Sequence, residues 1–201
     1  MNRYHLTFGC DGSTLAGTLD TAPGTSGLLI VTGGNEVRAG AFSGQAALAR
    51  SIAQAGFPVF RFDRRGVGDS EGEDRGFRAS RKDILAAIEA FRAMLPAMNR
   101  MIAFGNCDAA SALMLMKGDL CDGLVLSDPW TIEHDDGALP ADVIRSRYAS
   151  KLKDPRELVR LVTGKVDLGK LARGIVRSVS PAPKVTSLAQ DMAAGLDAST
   201  K

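Results

Sequence analysis

Four short apolar runs alternate with longer segments of helical periodicity along the first 127 residues. The apolar runs, which predict strands, are residues 27–32, 57–62, 100–104 and 123–127. The segments with apolar positions at helical spacing, which predict helices, are residues 42–55, 81–95 and 110–117. Continuous apolar strands are typical of a parallel sheet whose two faces are both covered by helices. The pattern therefore predicts an α/β fold with a mostly parallel sheet and a ligand-binding edge at the carboxyl ends of its strands.

Different patterns flank this region. Residues 3–8 and 14–19 alternate around a Gly- and Asp-containing turn, which predicts an N-terminal hairpin. Residues 140–180 are helical in pattern and carry ten Lys and Arg against four Asp and Glu, a local net charge of +6. Residues 185–196 predict a last amphipathic helix. We expect a core at residues 1–135, a basic helical cap at 136–180, and a linker with a C-terminal helix of the core at 181–201.

Composition excludes several classes of protein. The net charge of +2 over 201 residues gives no reason to expect nucleic-acid binding. Cys10, Cys107 and Cys121 form no CxxC motif or Cys/His cluster, so we expect no metal, no cofactor, no disulfide framework and a cytoplasmic location. The polar N-terminus predicts no signal peptide, and no apolar stretch approaches the ~18 residues of a membrane span.

Candidate chemistry centres on Gly105-Asn106-Cys107-Asp108-Ala109. A predicted strand, a sharp turn and a helix meet there, which is the setting of a nucleophile elbow, with cysteine at its apex. The N–H groups that begin the helix would favour a thiolate, the nucleophilic form of cysteine. The alternative is that Cys107 is a small residue packed at a strand–helix junction.

Two further loops follow neighbouring strands. Gly33-Gly34-Asn35 would supply a backbone N–H, from Gly34 or Asn35, which with the N–H of Asp108 would form an oxyanion hole. Without Cys107 nearby, the glycine pair would be only a turn. The loop after the second strand begins at Asp63, and we interpret it as structural, with Asp63 paired to Arg65.

That loop, Asp63-x-Arg65-Gly66-x-Gly68-x-Ser70, resembles the loop signature of the α/β-hydrolase superfamily. With residues 33–40, 55–63 and 105–110, the chain resembles the exosortase A system-associated hydrolase 1 family over most of residues 3–196. These are bacterial proteins encoded beside exopolysaccharide and exosortase loci. The resemblance implies an α/β-hydrolase-like sheet with helices on both faces, an N-terminal hairpin, a helical cap and a nucleophile at Cys107.

The superfamily pattern is incomplete here. Two strands that carry the triad acid and histidine would follow residue 201, so we expect a C-terminally truncated fold. His134, just after the fourth strand, is the candidate base, or else a solvated loop histidine. Asp128, at the end of that strand, is the candidate acid, or else it braces the turn at Pro129. An edge left open by missing strands would favour a homodimer or a swapped arrangement.

Two functions compete on this evidence. The first is a cysteine-dependent hydrolase or acyltransferase that acts on a small-molecule acyl ester or thioester, linked to polysaccharide assembly. The second is a catalytically weak or inactive scaffold that binds an anionic ligand or a protein partner. Arg145 and Arg147, early in the basic cap, are the residues that we expect to contact an anionic group; the alternative is that the basic residues of the cap only solvate the outer faces of its helices.

Overall fold

The computed structural model describes residues 1–116, 121–132 and 185–199. Its strands are β1 Arg3–Cys10, β2 Ser13–Asp20, β3 Ser26–Val31, β4 Val59–Phe62, β5 Arg100–Asn106 and β6 Gly123–Ser127. Its helices are α1 Gly44–Gln54, α2 Arg81–Met94, α3 Asp108–Leu115 and α4 Ser187–Ser199, with short 3₁₀ turns at Ala41–Ser43 and Phe77–Ala79.

The described strands form one sheet in the order β1-β2-β4-β3-β5-β6. β3 pairs in parallel with β4 and β5, and β5 pairs in parallel with β6, while β1 and β2 form an antiparallel hairpin. Asp11 and Gly12 turn this hairpin at positive φ angles of 51° and 82°. The predicted α/β fold with a mostly parallel sheet and an N-terminal hairpin is therefore confirmed.

Helices cover both faces of the central strands. Since successive side chains of a strand point to opposite faces of the sheet, each of these strands packs against helices on both sides. On β3, Leu29 and Val31 belong to the larger apolar cluster, to which α2 and α3 contribute. Ile30 belongs instead to the smaller cluster, with Ala49 of α1. Both faces of β3 are thus buried, which accounts for its continuous apolar sequence.

The parallel register aligns the carboxyl ends of four strands. Val31 lies opposite Phe62 of β4 on one side and opposite Gly105 of β5 on the other. Asn106, at the end of β5, lies opposite Ser127 of β6. The loops that follow β3, β4, β5 and β6 therefore start side by side, at the edge where α/β folds bind ligands.

The chain divides into two compact units, Met1–Thr131 with Ser187–Lys201, and Ile132–Thr186. In the first unit, α4 packs on α3 and buries Leu188 and Met192. The second unit lies almost entirely outside the described residues, and so do the predicted cap at 136–180, His134, Arg145 and Arg147. Among the described helices, none combines the length and apolar character that crossing a membrane requires.

Candidate active site

Cys107 forms a strained turn between β5 and α3. Its backbone angles are φ 53° and ψ −128°, which residues other than glycine adopt only where the surrounding structure enforces them. The Cys107 N–H donates to the Ser127 carbonyl at 3.0 Å, and the Cys107 carbonyl accepts from the Trp130 N–H at 3.3 Å. The end of β6 and the loop after it therefore hold this turn through both of its backbone groups, in the strand–turn–helix setting that the sequence predicts.

Small residues on either side of Cys107 permit this turn. A β-carbon at Gly105 would lie 2.9 Å from the backbone of Ala109 and of Ala110, closer than such atoms approach. The Ala109 side chain is itself fully buried. The strand and helix thus pack backbone to backbone, which is why glycine and alanine occupy the positions two before and two after Cys107.

The loop after β3 lies against this turn. A β-carbon at Gly33 would lie 3.3 Å from Cys107 Cβ and 2.9 Å from Asp108 Oδ1, so only glycine fits between them. The next residue, Gly34, has a positive φ of 56°, and its N–H donates to Asp108 Oδ1 at 2.6 Å. Gly34, a predicted oxyanion donor, is thus engaged by a carboxylate in this structure. Asn35, the alternative donor, follows it in an exposed turn.

Arg64, in the loop after β4, is a site residue that sequence reasoning missed. Its side chain is 3% exposed, it donates from Nη2 to the Gly34 carbonyl, and Nη2 lies 3.8 Å from Asp108 Oδ2. Its Nε and Nη1 atoms are buried without a hydrogen-bond partner among the described residues. Nothing in the sequence separates Arg64 from the neighbouring Arg65, so no local signal marked it.

The predicted pairing of Asp63 with Arg65 is wrong. Asp63 accepts hydrogen bonds from the Arg38 guanidinium and, at 2.5 Å, from the Arg38 N–H. Arg65 pairs instead with Asp83 on α2 at 2.6 Å. The Arg65 N–H also donates to Asp83, at 3.1 Å, so the backbone has already turned towards α2 and carries the side chain away from Asp63.

The structure locates the predicted acid, Asp128, whereas the predicted base, His134, is not among the described residues. Asp128 follows β6 directly, is exposed and has a positive φ of 48°, so it lies one strand away from Cys107 at the same sheet edge. His134 lies outside the described residues, and its role as the base stays a prediction. His5, the other histidine of the sequence, lies on β1, which three strands separate from β5. At the usual strand spacing this is about 19 Å, too far for His5 to serve Cys107 as a base.

Thiol reactivity should single out Cys107. Burial, followed by the hydrogen bond to Asp83, raises the pKa of Cys10 to about 11, and burial raises the pKa of Cys121 to about 11. Both therefore remain protonated near neutral pH, whereas the partly exposed Cys107 lies at the start of α3.

We expect iodoacetamide at pH 7.5 to alkylate Cys107 first, as peptide mass mapping would show. Labelling of Cys10 and Cys121 should rise about tenfold per pH unit until it levels near their pKa values, because only the thiolate reacts. Labelling of either residue ahead of Cys107 in the folded protein would contradict the assignment. A denatured sample, in which all three cysteines are accessible, provides the control.

Metal chemistry has no support within the described ranges. In residues 1–116, 121–132 and 185–199, no group of three or more His, Cys, Asp or Glu side chains could hold a metal ion.

Comparison with solved structures places this site in a known fold. The chain is similar to an α/β hydrolase, GrgF, from Penicillium sp. sh18, at 17% identity and a TM-score of 0.60 over 98% of this chain and 73% of that one. XC6422 from Xanthomonas campestris, described as an α/β serine hydrolase without a lid, matches at 20% identity and a TM-score of 0.56 over 67% and 65%. The Pyrococcus furiosus esterase Pf2001 matches at 15% identity and a TM-score of 0.52 over 59% and 47%.

The chain thus spans about half the length of the Pyrococcus esterase. Comparison with protein-family models and with curated proteins gave no match, so the resemblance to the exosortase-associated family stays a prediction. At these identities the structural similarity establishes the fold alone: this chain has an α/β-hydrolase-like fold.

Proposed function

We propose that this protein is a hydrolase or acyltransferase in which Cys107 attacks an ester or thioester. The strained backbone of Cys107, at φ 53° and ψ −128° between β5 and α3, carries the proposal. A turn of this kind projects a nucleophile from the carboxyl edge of the sheet. The esterase and the serine hydrolase among the solved structures of this fold support the same class of reaction.

The chemistry follows from this position. The Cys107 thiol would give its proton to a base, and the thiolate would attack the acyl carbon. A new C–S bond would form, the bond from the acyl carbon to the leaving oxygen or sulfur would break, and the departing alcohol or thiol would take up that proton. Water or an acceptor hydroxyl would then break the C–S bond and release the acyl group. The N–H groups of Asp108 and of Gly34 or Asn35 would stabilise the oxyanion in both steps. We assign the base to His134 and its orientation to Asp128.

The proposal for a particular class of substrate rests on the sequence. The resemblance to the exosortase-associated family favours an acylated intermediate of exopolysaccharide assembly. Arg145 and Arg147 of the basic cap would then contact an anionic group on that substrate. Cys10, Cys107 and Cys121 are free thiols, which suits a reducing compartment.

One observation favours a second candidate, a weak or inactive scaffold that binds an anionic ligand. The Asp108 carboxylate accepts the Gly34 N–H that an oxyanion would need. A carboxylate at this point would repel developing negative charge, so turnover requires Asp108 to move away.

A search for acylation distinguishes the two. The protein would be incubated with p-nitrophenyl esters and acyl thioesters of varied chain length, and its peptides would be mass-mapped after rapid acid quenching. We expect the acyl mass on the Cys107 peptide, accompanied by a burst of released alcohol or thiol. Acylation confined to Cys10 or Cys121 would overturn the nucleophile assignment, and no acylation with any ester or thioester would favour the binding scaffold.

A further inference from the structure

We propose that the Gly34 N–H and the Arg64 guanidinium form a carboxylate-binding subsite beside Cys107, which the Asp108 side chain fills in the resting protein. The ligand is a free carboxylate. It could be the acid released by the proposed reaction or an acid that a non-catalytic scaffold binds. The inference rests on the proposed function only in taking Cys107 as the reactive thiol of this edge.

The first support is that a carboxylate already binds here. Asp108 Oδ1 accepts the Gly34 N–H at 2.6 Å, and Asp108 Oδ2 lies 3.8 Å from Arg64 Nη2. The two oxygens of one carboxylate therefore face two donors that come from the loops after β3 and β4. A β-carbon at Gly33 would contact both Asp108 Oδ1 and Cys107 Cβ, so this carboxylate and Cys107 lie on one small surface.

The second support is the state of Arg64. Its side chain is 3% exposed, and its Nε and Nη1 have no hydrogen-bond partner among the described residues. Asp108 is the carboxylate that pairs with it, at 3.8 Å, beyond hydrogen-bond distance. A buried guanidinium with unsatisfied donors favours binding of a second, better placed anion, because Arg binds carboxylates best through two parallel hydrogen bonds.

Exchange requires the Asp108 side chain to rotate. That side chain is 18% exposed and Gly34 is exposed, so its rotation towards solvent would free the Gly34 N–H and the Arg64 Nη2 atom that it now faces. The Asp108 carboxylate would then lie in water at the start of α3, where the helix dipole favours negative charge. The incoming carboxylate would take its place on Gly34 and Arg64, near the Cys107 β-carbon.

Paired alkylating reagents test this directly. Iodoacetate carries a carboxylate next to the carbon that sulfur attacks, and iodoacetamide is its neutral analogue. We would measure the rates of Cys107 alkylation by both reagents in the wild type, in Asp108→Ala, which vacates the subsite, and in Asp108→Asn, which removes the charge but keeps a side-chain acceptor for Gly34. Glu89→Gln, which removes one exposed charge from α2, is the control.

We expect Asp108→Ala to raise the ratio of iodoacetate to iodoacetamide rates about tenfold or more, and the iodoacetate rate to saturate with reagent concentration. Asp108→Asn should give a smaller rise without saturation, and Glu89→Gln should leave the ratio unchanged. Equal, unsaturated rises in both Asp108 variants would show a charge effect only and would overturn the subsite. If the iodoacetate rate no longer saturates in the folded double variant Asp108→Ala/Arg64→Gln, Arg64 binds the carboxylate of the reagent. If the rate still saturates, Arg64 is not part of the subsite.

Alkylation requires no turnover, so the two proposals fail separately. A protein that hydrolyses no ester can still show the saturable iodoacetate reaction. Conversely, an active enzyme with an unchanged rate ratio in Asp108→Ala would retain its proposed function and lose the carboxylate subsite.

Discussion

Replacement of Cys107 by alanine should lower kcat/KM for the best ester or thioester substrate by about 10³-fold or more. The nucleophile is lost, and only transition-state stabilisation by the backbone N–H groups of Asp108 and of Gly34 or Asn35 would remain. The fold should persist, because Cys107 is partly exposed and alanine can adopt the same turn as cysteine. Initial rates over a range of substrate concentrations, with circular dichroism of each variant, would measure the effect.

Two further variants show whether this loss of activity comes from the chemistry of Cys107. Cys121→Ala removes a thiol whose pKa burial raises to about 11, and it should leave kcat/KM within about twofold. Cys107→Ser keeps a nucleophilic atom but requires a base to activate it, whereas cysteine provides some thiolate unaided. A serine variant that retains much of the activity would therefore show that a working base lies beside residue 107. Undiminished turnover in Cys107→Ala would place the chemistry elsewhere in the protein.

The fold could be predicted because its signals are local. The buried strand β3 is a continuous apolar run, and the predicted strand at 123–127 coincides with β6, Gly123–Ser127. The predicted helix at 81–95 likewise corresponds to α2, Arg81–Met94. The turn at Cys107 was predictable for the same reason, since the strand, the small residues and the helix that define it are contiguous.

The contacts that determine the site's chemistry could not be predicted, because they join distant parts of the chain. Asp108 meets Gly34 across 74 positions, and Arg38 meets Asp63 across 25. Each contact depends on the strand order, which places β3 between β4 and β5. A sequence that predicts a parallel sheet without its order leaves these partners undetermined.

The rejected pairing of Asp63 with Arg65 shows the same limit. Both residues lie in one short loop, so their proximity in sequence suggested an ion pair. Asp83 of α2, which is almost fully buried, and Arg38 of the loop after β3 are the actual partners. A buried carboxylate requires a partner, and the tertiary arrangement pairs Asp63 with Arg38, from outside their loop, and pairs Arg65 with the buried Asp83.

Substitution of Asp63 by alanine should destabilise the protein by about 3 kcal/mol, a shift in Tm of roughly 6–12 °C for a chain of this size. Asp63 is fully buried and accepts hydrogen bonds from the Arg38 N–H, from the Arg38 guanidinium and, at 3.1 Å, from the Asp69 N–H. Its loss would leave a largely buried arginine with only the exposed Asp69 carboxylate to pair with, and it would leave the three donors to Asp63 unsatisfied. Urea unfolding followed by circular dichroism would measure the change.

Asp69→Asn is the matched control, because Asp69 pairs with the same guanidinium at 2.8 Å but its side chain is 74% exposed. An exposed ion pair contributes little, so this variant should lose less than about 1 kcal/mol. Equal losses of unfolding free energy from the two substitutions would mean that the buried pair of Arg38 with Asp63 stabilises the protein no more than its exposed pair with Asp69.

A large difference would show that Asp63 ties the loop after β3, which carries Gly34, to the loop after β4, which carries Arg64. In that case Asp63→Ala should also weaken the iodoacetate selectivity of Asp108→Ala, because the two donors of the carboxylate subsite would no longer be held together.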